Sequence, residues 1–225
     1  MKNSKNKILV IAAHPDDEVL GCGGTIHKLS SLGHQVYVLV LSSGVKKDAL
    51  KAAKTKAKSM KKANELLGVK KVFHLDFEDN YFDRYPIVEF VEAIEAVIKE
   101  ITPNIIYTHN EADLNQDHRV IFEATIIASR FFPYGCIQKI YSYEVPSVTE
   151  SISPIESKVY NPSTFVELTK KNIEVKFKAL NQYEMEIRKY PHARNAKGIE
   201  VYARFRGLAV GVEYAEAFKL IRELN

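Results

Sequence analysis

Apolar positions follow two alternating rhythms along the chain. Lys7-Ile-Leu-Val-Ile-Ala-Ala13 is a continuous apolar run with turn chemistry after it, the pattern of a strand buried on both faces of a parallel sheet. Similar runs recur at Gln35 to Leu41, Lys71 to Leu75 and Asn104 to Thr108. Between them the period turns helical over Gly24 to Leu32, over Lys47 to Leu67 with Gly68 as C-cap, and over Pro86 to Ile101, which opens on proline and stops before Pro103. Four such alternations predict right-handed crossovers, a mostly parallel sheet and helices on both faces, hence a three-layer α/β domain. Ligands of such a sheet sit beyond the carboxyl ends of its strands. After about Tyr143 the pattern changes: Pro146, Pro154 and Pro162 with Ser147, Ser151, Ser153 and Ser157 predict a long ordered excursion, followed by a helix from Leu168 to about Arg188. Gly198 to Asn225 reads as a helix and a final strand or helix. With no linker or internal repeat, residues 1–225 are expected to form one domain.

Composition narrows the class of protein. A chain of 225 residues, 46% hydrophobic and 27% charged, is long enough to bury roughly 70% of its unfolded surface. No run of eighteen uncharged apolar residues offers a membrane span. The N-terminus lacks the small-residue cleavage site of a signal peptide, so the expected location is the cytoplasm. Cys22 and Cys136 are the only thiols; they read as small buried hydrophobes, which leaves out a disulfide framework and a zinc–cysteine site. The net charge of +4 is unevenly spread, since Lys46 to Lys71 holds ten lysines against Asp48 and Glu65. That stretch reads as the solvated face of an amphipathic helix. It lacks the arginines and aromatics of a nucleic-acid surface, and no nucleic-acid partner is expected; attraction of a phosphate-bearing substrate is the other reading.

The chemistry is concentrated after the first strand, in Ala13-His14-Pro15-Asp16-Asp17-Glu18-Val19-Leu20-Gly21. An imidazole and three carboxylates at one sheet edge are costly without a cation. If His14 and Asp17 bind a metal from either side of the Pro15 turn, Asp16 points elsewhere and is free for proton transfer. Helix capping by the acids is the competing reading, but capping needs neither the histidine nor three acids. Catalytic zinc takes three protein ligands, so one more must come from elsewhere. Thr108-His109-Asn110-Glu111-Ala112-Asp113-Leu114-Asn115-Gln116-Asp117-His118-Arg119 follows the fourth strand. His118 has the best position there, with Asp117 and Arg119 beside it as partners.

With those two segments, the sequence resembles the LmbE or PIG-L family of zinc-dependent N-acetylglucosaminyl deacetylases. The likeness extends through Asp76-Phe77-Glu78-Asp79-Asn80, Tyr143-Glu144-Val145-Pro146-Ser147, Ala203-Arg204-Phe205-Arg206-Gly207 and Gly211-Val212-Glu213-Tyr214-Ala215-Glu216-Ala217-Phe218. The resemblance implies a Rossmann-like fold, one Zn²⁺ on His14, Asp17 and His118, Asp16 as general base, and a small N-acetylated sugar or conjugate as substrate. Relatives range from monomers to hexamers, so a homo-oligomer is open.

Departures from the family pattern mark what this chain does differently. Many members carry His-Pro-Asp-His in the second segment, and here the earlier histidine is Asn115, which donates a hydrogen bond but supplies no proton. The proton for the leaving amine then comes from Asp16 or from His192 in Tyr190-Pro191-His192-Ala193-Arg194, unless Asn115 is only a support. Lys56 and Ser59 stand where members have an arginine and a glutamate, and lysine lacks the fixed guanidinium fork. Asp79 occupies the place of a sugar-binding carboxylate. Arg204 and Arg206 read as structural partners of Glu213 and Glu216, with a reach into the cleft as the other reading. His27, His34 and His74 read as hydrogen-bonded structural residues, His109 as a backbone-bonded loop histidine, and Cys22 as allowing close packing behind the metal.

The expected reaction is hydrolysis of an N-acetyl group by a water that Asp16 deprotonates. Neither a serine nor a cysteine nucleophile is called for, and no Gly-x-Ser-x-Gly elbow is present. A Mg²⁺- or Mn²⁺-dependent phosphoesterase and a non-catalytic sugar-binding protein are the alternatives. Two histidines and one carboxylate favour Zn²⁺ or Fe²⁺ over the hard cations.

Overall fold

The computed structural model describes residues 5–45, 50–130, 135–149 and 159–224. Seven strands form one sheet: β1 (Lys7–Ala12), β2 (Gln35–Ser42), β3 (Lys71–Phe77), β4 (Ile105–His109), β5 (Lys139–Tyr143), β6 (Thr164–Leu168) and β7 (Tyr214–Glu223), in the order β3-β2-β1-β4-β5-β7-β6. β1 to β5 pair in parallel, and β7 runs antiparallel to both β5 and β6. The helices are α1 (Asp17–Ser31), α2 (Leu50–Leu67), α3 (Ile87–Ile101), α4 (Gln116–Ala128), α5 (Lys170–Leu180) and α6 (Ala196–Leu208).

The three layers follow from strand alternation. Ile8, Val10 and Ala12 of β1 join a core with α1, α2, α5 and α6 on one face, whereas Leu9 and Ile11 face α3 and α4 on the other. The functional consequence lies in the strand order. The chain leaves β1 towards β2 on one side, and its other neighbour is β4, so a crevice opens beyond the carboxyl ends of β1 and β4. Both histidine-bearing segments emerge there.

Two expected helices differ. The first begins at Asp17 rather than Gly24, because its glycines serve close packing: a Cβ added at Gly21 or Gly24 would collide with Tyr143 or Leu168. The helix expected over Leu168 to Arg188 is present as the shorter α5, and Leu168 itself ends the strand β6. Thr169 stops the strand and starts the helix, with its hydroxyl and the Asn172 side chain closing a reciprocal capping box. Residues 181–186 then turn back, ending in a 3-10 turn at Glu184–Glu186. The strand β5, absent from the sequence reading, completes the parallel part of the sheet. Cys22 is buried and Cys136 half-buried, both as free thiols. Among the described residues no helix is long and apolar enough to cross a membrane. Lys46, Lys47 and Asp48 of the lysine-rich stretch, and Ser151, Ser153, Pro154 and Ser157 of the expected excursion, lie outside the described residues.

Candidate metal centre

Neighbour pairing at the strand ends sets the frame. His109 closes β4, and its Nε2 accepts the backbone N–H of Ala13 at 2.8 Å, which ties the end of β4 to the chain leaving β1. Burial and the charge of His118 hold the His109 pKa well below its ordinary value, consistent with a neutral ring accepting that bond. The His109 ring also stacks on His118, with centroids 3.9 Å apart. It is thus backbone-bonded as expected, but at the buried end of a strand rather than in a loop.

After Pro15 the backbone of Asp16 adopts φ 113°, a left-handed conformation that costs a non-glycine residue about 1–3 kcal/mol. The kink starts α1 at Asp17 and separates the three acids. Asp17 turns to the histidines. Glu18 goes inward, accepting from Asn64 Nδ2 at 2.9 Å, Tyr183 Oη at 2.7 Å and the Asp16 N–H at 3.0 Å. Asp16 makes no side-chain cap hydrogen bond, which removes the capping account for it.

One ligand atom from each of His14, Asp17 and His118 lies within 4.8 Å of the other two. His14 Nδ1 is 3.2 Å and His118 Nε2 3.3 Å from Asp17 Oδ2. A tetrahedral ion with bonds of about 2.0–2.1 Å spaces neighbouring ligand atoms about 3.3 Å apart. The outward nitrogens face carboxylates of the second segment: His14 Nε2 lies 2.9 Å from Asp117 Oδ2, and His118 Nδ1 lies 3.2 Å from Asp113 Oδ2. Despite these short approaches, both ring nitrogens of His118 are buried without a properly directed hydrogen bond. A buried imidazole nitrogen so placed suits a cation, and the donor set fits zinc or ferrous iron.

Electrostatics point the same way. Burial opposes charge on both imidazoles, yet the carboxylates around them prevail and push His14 up to about 10 and His118 up to about 9. Burial would also raise Asp17, but His118, His14 and His109 hold it well below the usual carboxylate range. The pocket therefore demands positive charge, which a divalent cation supplies with the rings neutral. His14, Asp79 and Asp117 form a second group with ligand-like spacing. Asp117 there already accepts the N–H groups of Asn80 and Phe82, at 2.8 and 3.1 Å, so it fits the role of holding His14 in place.

These residues floor a cleft of about 230 Å³ whose walls include Asp16, Lys56, Asp79, Asn115, Glu186 and Arg194. Asp79 Oδ1 stands 3.1 Å from His14 Nε2. Asn115 caps α4, its Oδ1 accepting the Asp117 N–H at 2.8 Å. Lys56 reaches the cleft but pairs with Glu186 at 3.0 Å. With Glu186 it also borders a neighbouring cavity of about 240 Å³, where Lys58 and Lys62 lie. His192 does not line the cleft; it is exposed and accepts the Arg194 N–H. Arg194, two residues on, reaches the cleft where His192 was expected, with Nη1 donating to Asp16 Oδ2 at 2.8 Å. Arg119 does not serve His118 and instead donates to the Asp113 and Leu114 carbonyls.

The remaining candidates are structural. His27 pairs with Asn172, His34 accepts from the Asn6 N–H and His74 donates to the Ser42 carbonyl. Arg204 pairs with Glu213, as expected, and with Glu200. Arg206 pairs with Glu144 rather than Glu216, which is bound to Lys176. Four contributors escaped the sequence reading. Asp113 and the His14-directed role of Asp117 were visible only as letters of the second segment; Glu186 and Arg194 carry no local signal.

The family described as PIG-L, GlcNAc-PI de-N-acetylase, matches residues 9–129. An uncharacterized deacetylase of Escherichia coli K12, YaiS, is 28% identical over 187 residues, which cover 81% of this chain and 92% of that protein. Diacetylchitobiose deacetylase of Thermococcus kodakarensis is 35% identical over 111 residues, 46% of this chain and 40% of that protein. Among solved structures, N,N'-diacetylchitobiose deacetylase from Pyrococcus horikoshii superposes with a TM-score of 0.79 at 23% identity, covering 97% of this chain and 85% of that one. That likeness shows the fold alone.

Proposed function

The chain belongs to the PIG-L family, and on that premise we propose that it is a hydrolase that removes the N-acetyl group of a GlcNAc-type sugar or conjugate. One Zn²⁺ per chain would be held by His14, Asp17 and His118, with Asp16 as general base and the whole of residues 1–225 as one catalytic unit. The observation that carries this reading is the convergence of those three side chains in one cleft with Asp16 beside them and outside the ligand set. Ferrous iron meets the same donors. When bound, the ion would polarise the acetyl carbonyl and lower the pKa of a water.

The chain's own groups perform the proton chemistry. Burial pushes Asp16 up, and the Arg194 charge only partly opposes it, so its carboxylate is suited both to accept and to return a proton. It takes a proton from the attacking water as the oxygen–carbon bond forms. The same proton goes to the amide nitrogen as the carbon–nitrogen bond breaks, leaving acetate and a free amine. Asn115 has no proton to give, and His192 stands outside the cleft, so Asp16 fills both roles. Asn115, Asp79 and Lys56 at the rim are placed to contact the sugar.

The test is acetate release by the purified protein from free GlcNAc, diacetylchitobiose, and nucleotide- and thiol-linked GlcNAc. We expect acetate and amine in equal amounts from at least one of them, loss of the activity with a chelator and its return with zinc. Zinc-loaded protein that releases no acetate from any of them overturns the reading.

A further inference from the structure

Asp16 differs from its two acidic neighbours in how it is held. Asp17 is fixed by the His14 backbone N–H and the histidines, and Glu18 by three donors. The Asp16 carboxylate, on a backbone twisted to φ 113°, has a single partner among the described residues, the guanidinium of Arg194. That contact engages Oδ2; among the described residues Oδ1 accepts from no protein donor, and Asp16 lines the cleft.

The guanidinium is itself fixed from three directions. Its Nη1 also reaches Glu186 Oε2 at 3.2 Å, and its Nε donates to Ser147 Oγ at 3.2 Å, on a residue that is likewise left-handed at φ 85°. The other Glu186 oxygen is bound to Lys56 of α2 at 3.0 Å. The turn after β5 and the 3-10 turn at 184–186 thus hold one planar cation, largely buried at 17% side-chain exposure, while α2 anchors Glu186 beside it. A planar fork can hold several acceptors in set directions; an ammonium cannot.

We infer that Arg194 is a positioning residue: it grips Oδ2 of Asp16 so that Oδ1 faces the reacting water, while Glu186 and Ser147 keep the guanidinium in that orientation. This role rests on the deacetylase reading above, in which Asp16 is the base. Arg194 belongs to no metal-ligating group, so its removal leaves the ligand set whole.

The experiment uses the full-length, zinc-loaded chain with Arg194→Ala and Arg194→Lys. Both variants are expected to keep one zinc per chain and the wild-type KM, while kcat falls about 10²-fold, the cost of a misplaced catalytic group. Added guanidinium should restore part of kcat in Arg194→Ala and none in Arg194→Lys, where the ammonium fills the space. A crystal structure of Arg194→Ala should show the Asp16 carboxylate turned from its wild-type rotamer. Unchanged kcat, a raised KM at constant kcat, or lost zinc each overturns the role. So does an Asp16 rotamer identical to wild type, which decides the matter even if no substrate has been found. An active wild type with an indifferent Arg194→Ala sinks only this inference; a wild type inactive on all the sugars sinks the function.

Discussion

The crevice between β1 and β4 and the strap formed by residues 181–195 both reach Asp16, but they are built on opposite principles. In the crevice, His14 and His118 and the carboxylates that face their outward nitrogens come from two short segments, 13–18 and 109–118, set at adjacent strand ends. In the strap, a single guanidinium crosses 178 residues of sequence to meet one carboxylate. The first arrangement is over-determined in its supports, because removing one supporting contact leaves each imidazole held by others. The second is a lone clamp. Ligand geometry should therefore survive damage to the strap, whereas the orientation of the base should not.

The sharpest test of that division is the pair His118→Ala and Asp16→Ala. Removal of His118 leaves two ligands and a buried Asp17 without its main counter-charge, so bound zinc should fall from one per chain to a trace. Asp16→Ala should keep its full zinc and lose about 10²–10⁴-fold in turnover, as loss of a general base does. Metal analysis together with acetate kinetics separates the two. If Asp16→Ala also loses zinc, base and ligand cage are not independent and the comparison breaks.

How far the sequence could be read follows the same division. The parallel strands β1 to β4 are local apolar runs, and the two histidine segments sit directly after β1 and β4, so the meeting of His14, Asp17 and His118 in one cleft was legible once the order of elements was. The beginning of α1 was not, because glycines that weaken a helix by propensity are demanded there by Tyr143 and Leu168, which lie far away in sequence. Nor was the strap. His192 and Arg194 are two residues apart in an irregular segment, where no periodicity says which of them turns to the cleft. The aim of Arg194 is set by Ser147 and Glu186, contacts that exist only in the folded chain.

A further contact reached only by folding joins β7 to α1. Glu216 accepts the N–H groups of Gly24 and Thr25, at 2.9 and 2.7 Å, and the ammonium of Lys176 at 2.6 Å, with both side chains buried. Glu216→Ala strands a buried charge and two amides, and about 3–5 kcal/mol of stability should be lost. Urea unfolding measures it. Because this anchor shares no residue with the group formed by His14, Asp17 and His118, the fraction of folded protein that binds zinc should be unchanged; a loss of stoichiometry would show that the C-terminal part shapes the cage after all.

The smallest expected effect lies in the strap, at Glu186. Burial would raise its pKa, but Lys56 and Arg194 outweigh that and hold it below the ordinary value of 4.5. A carboxylate depressed in the folded state adds stability that is fully present above the unfolded value and is lost as pH falls through the folded one. The stability difference between wild type and Glu186→Gln should thus be flat from neutrality down to about pH 5, then shrink at lower pH. Its size at neutral pH should be at most about 1 kcal/mol, since both ion pairs are partly open to solvent and screened. Unfolding of the two proteins in parallel across that range cancels every other titrating group. A difference that stays constant through the carboxylate range would mean that Glu186 contributes packing rather than charge to the clamp on Arg194.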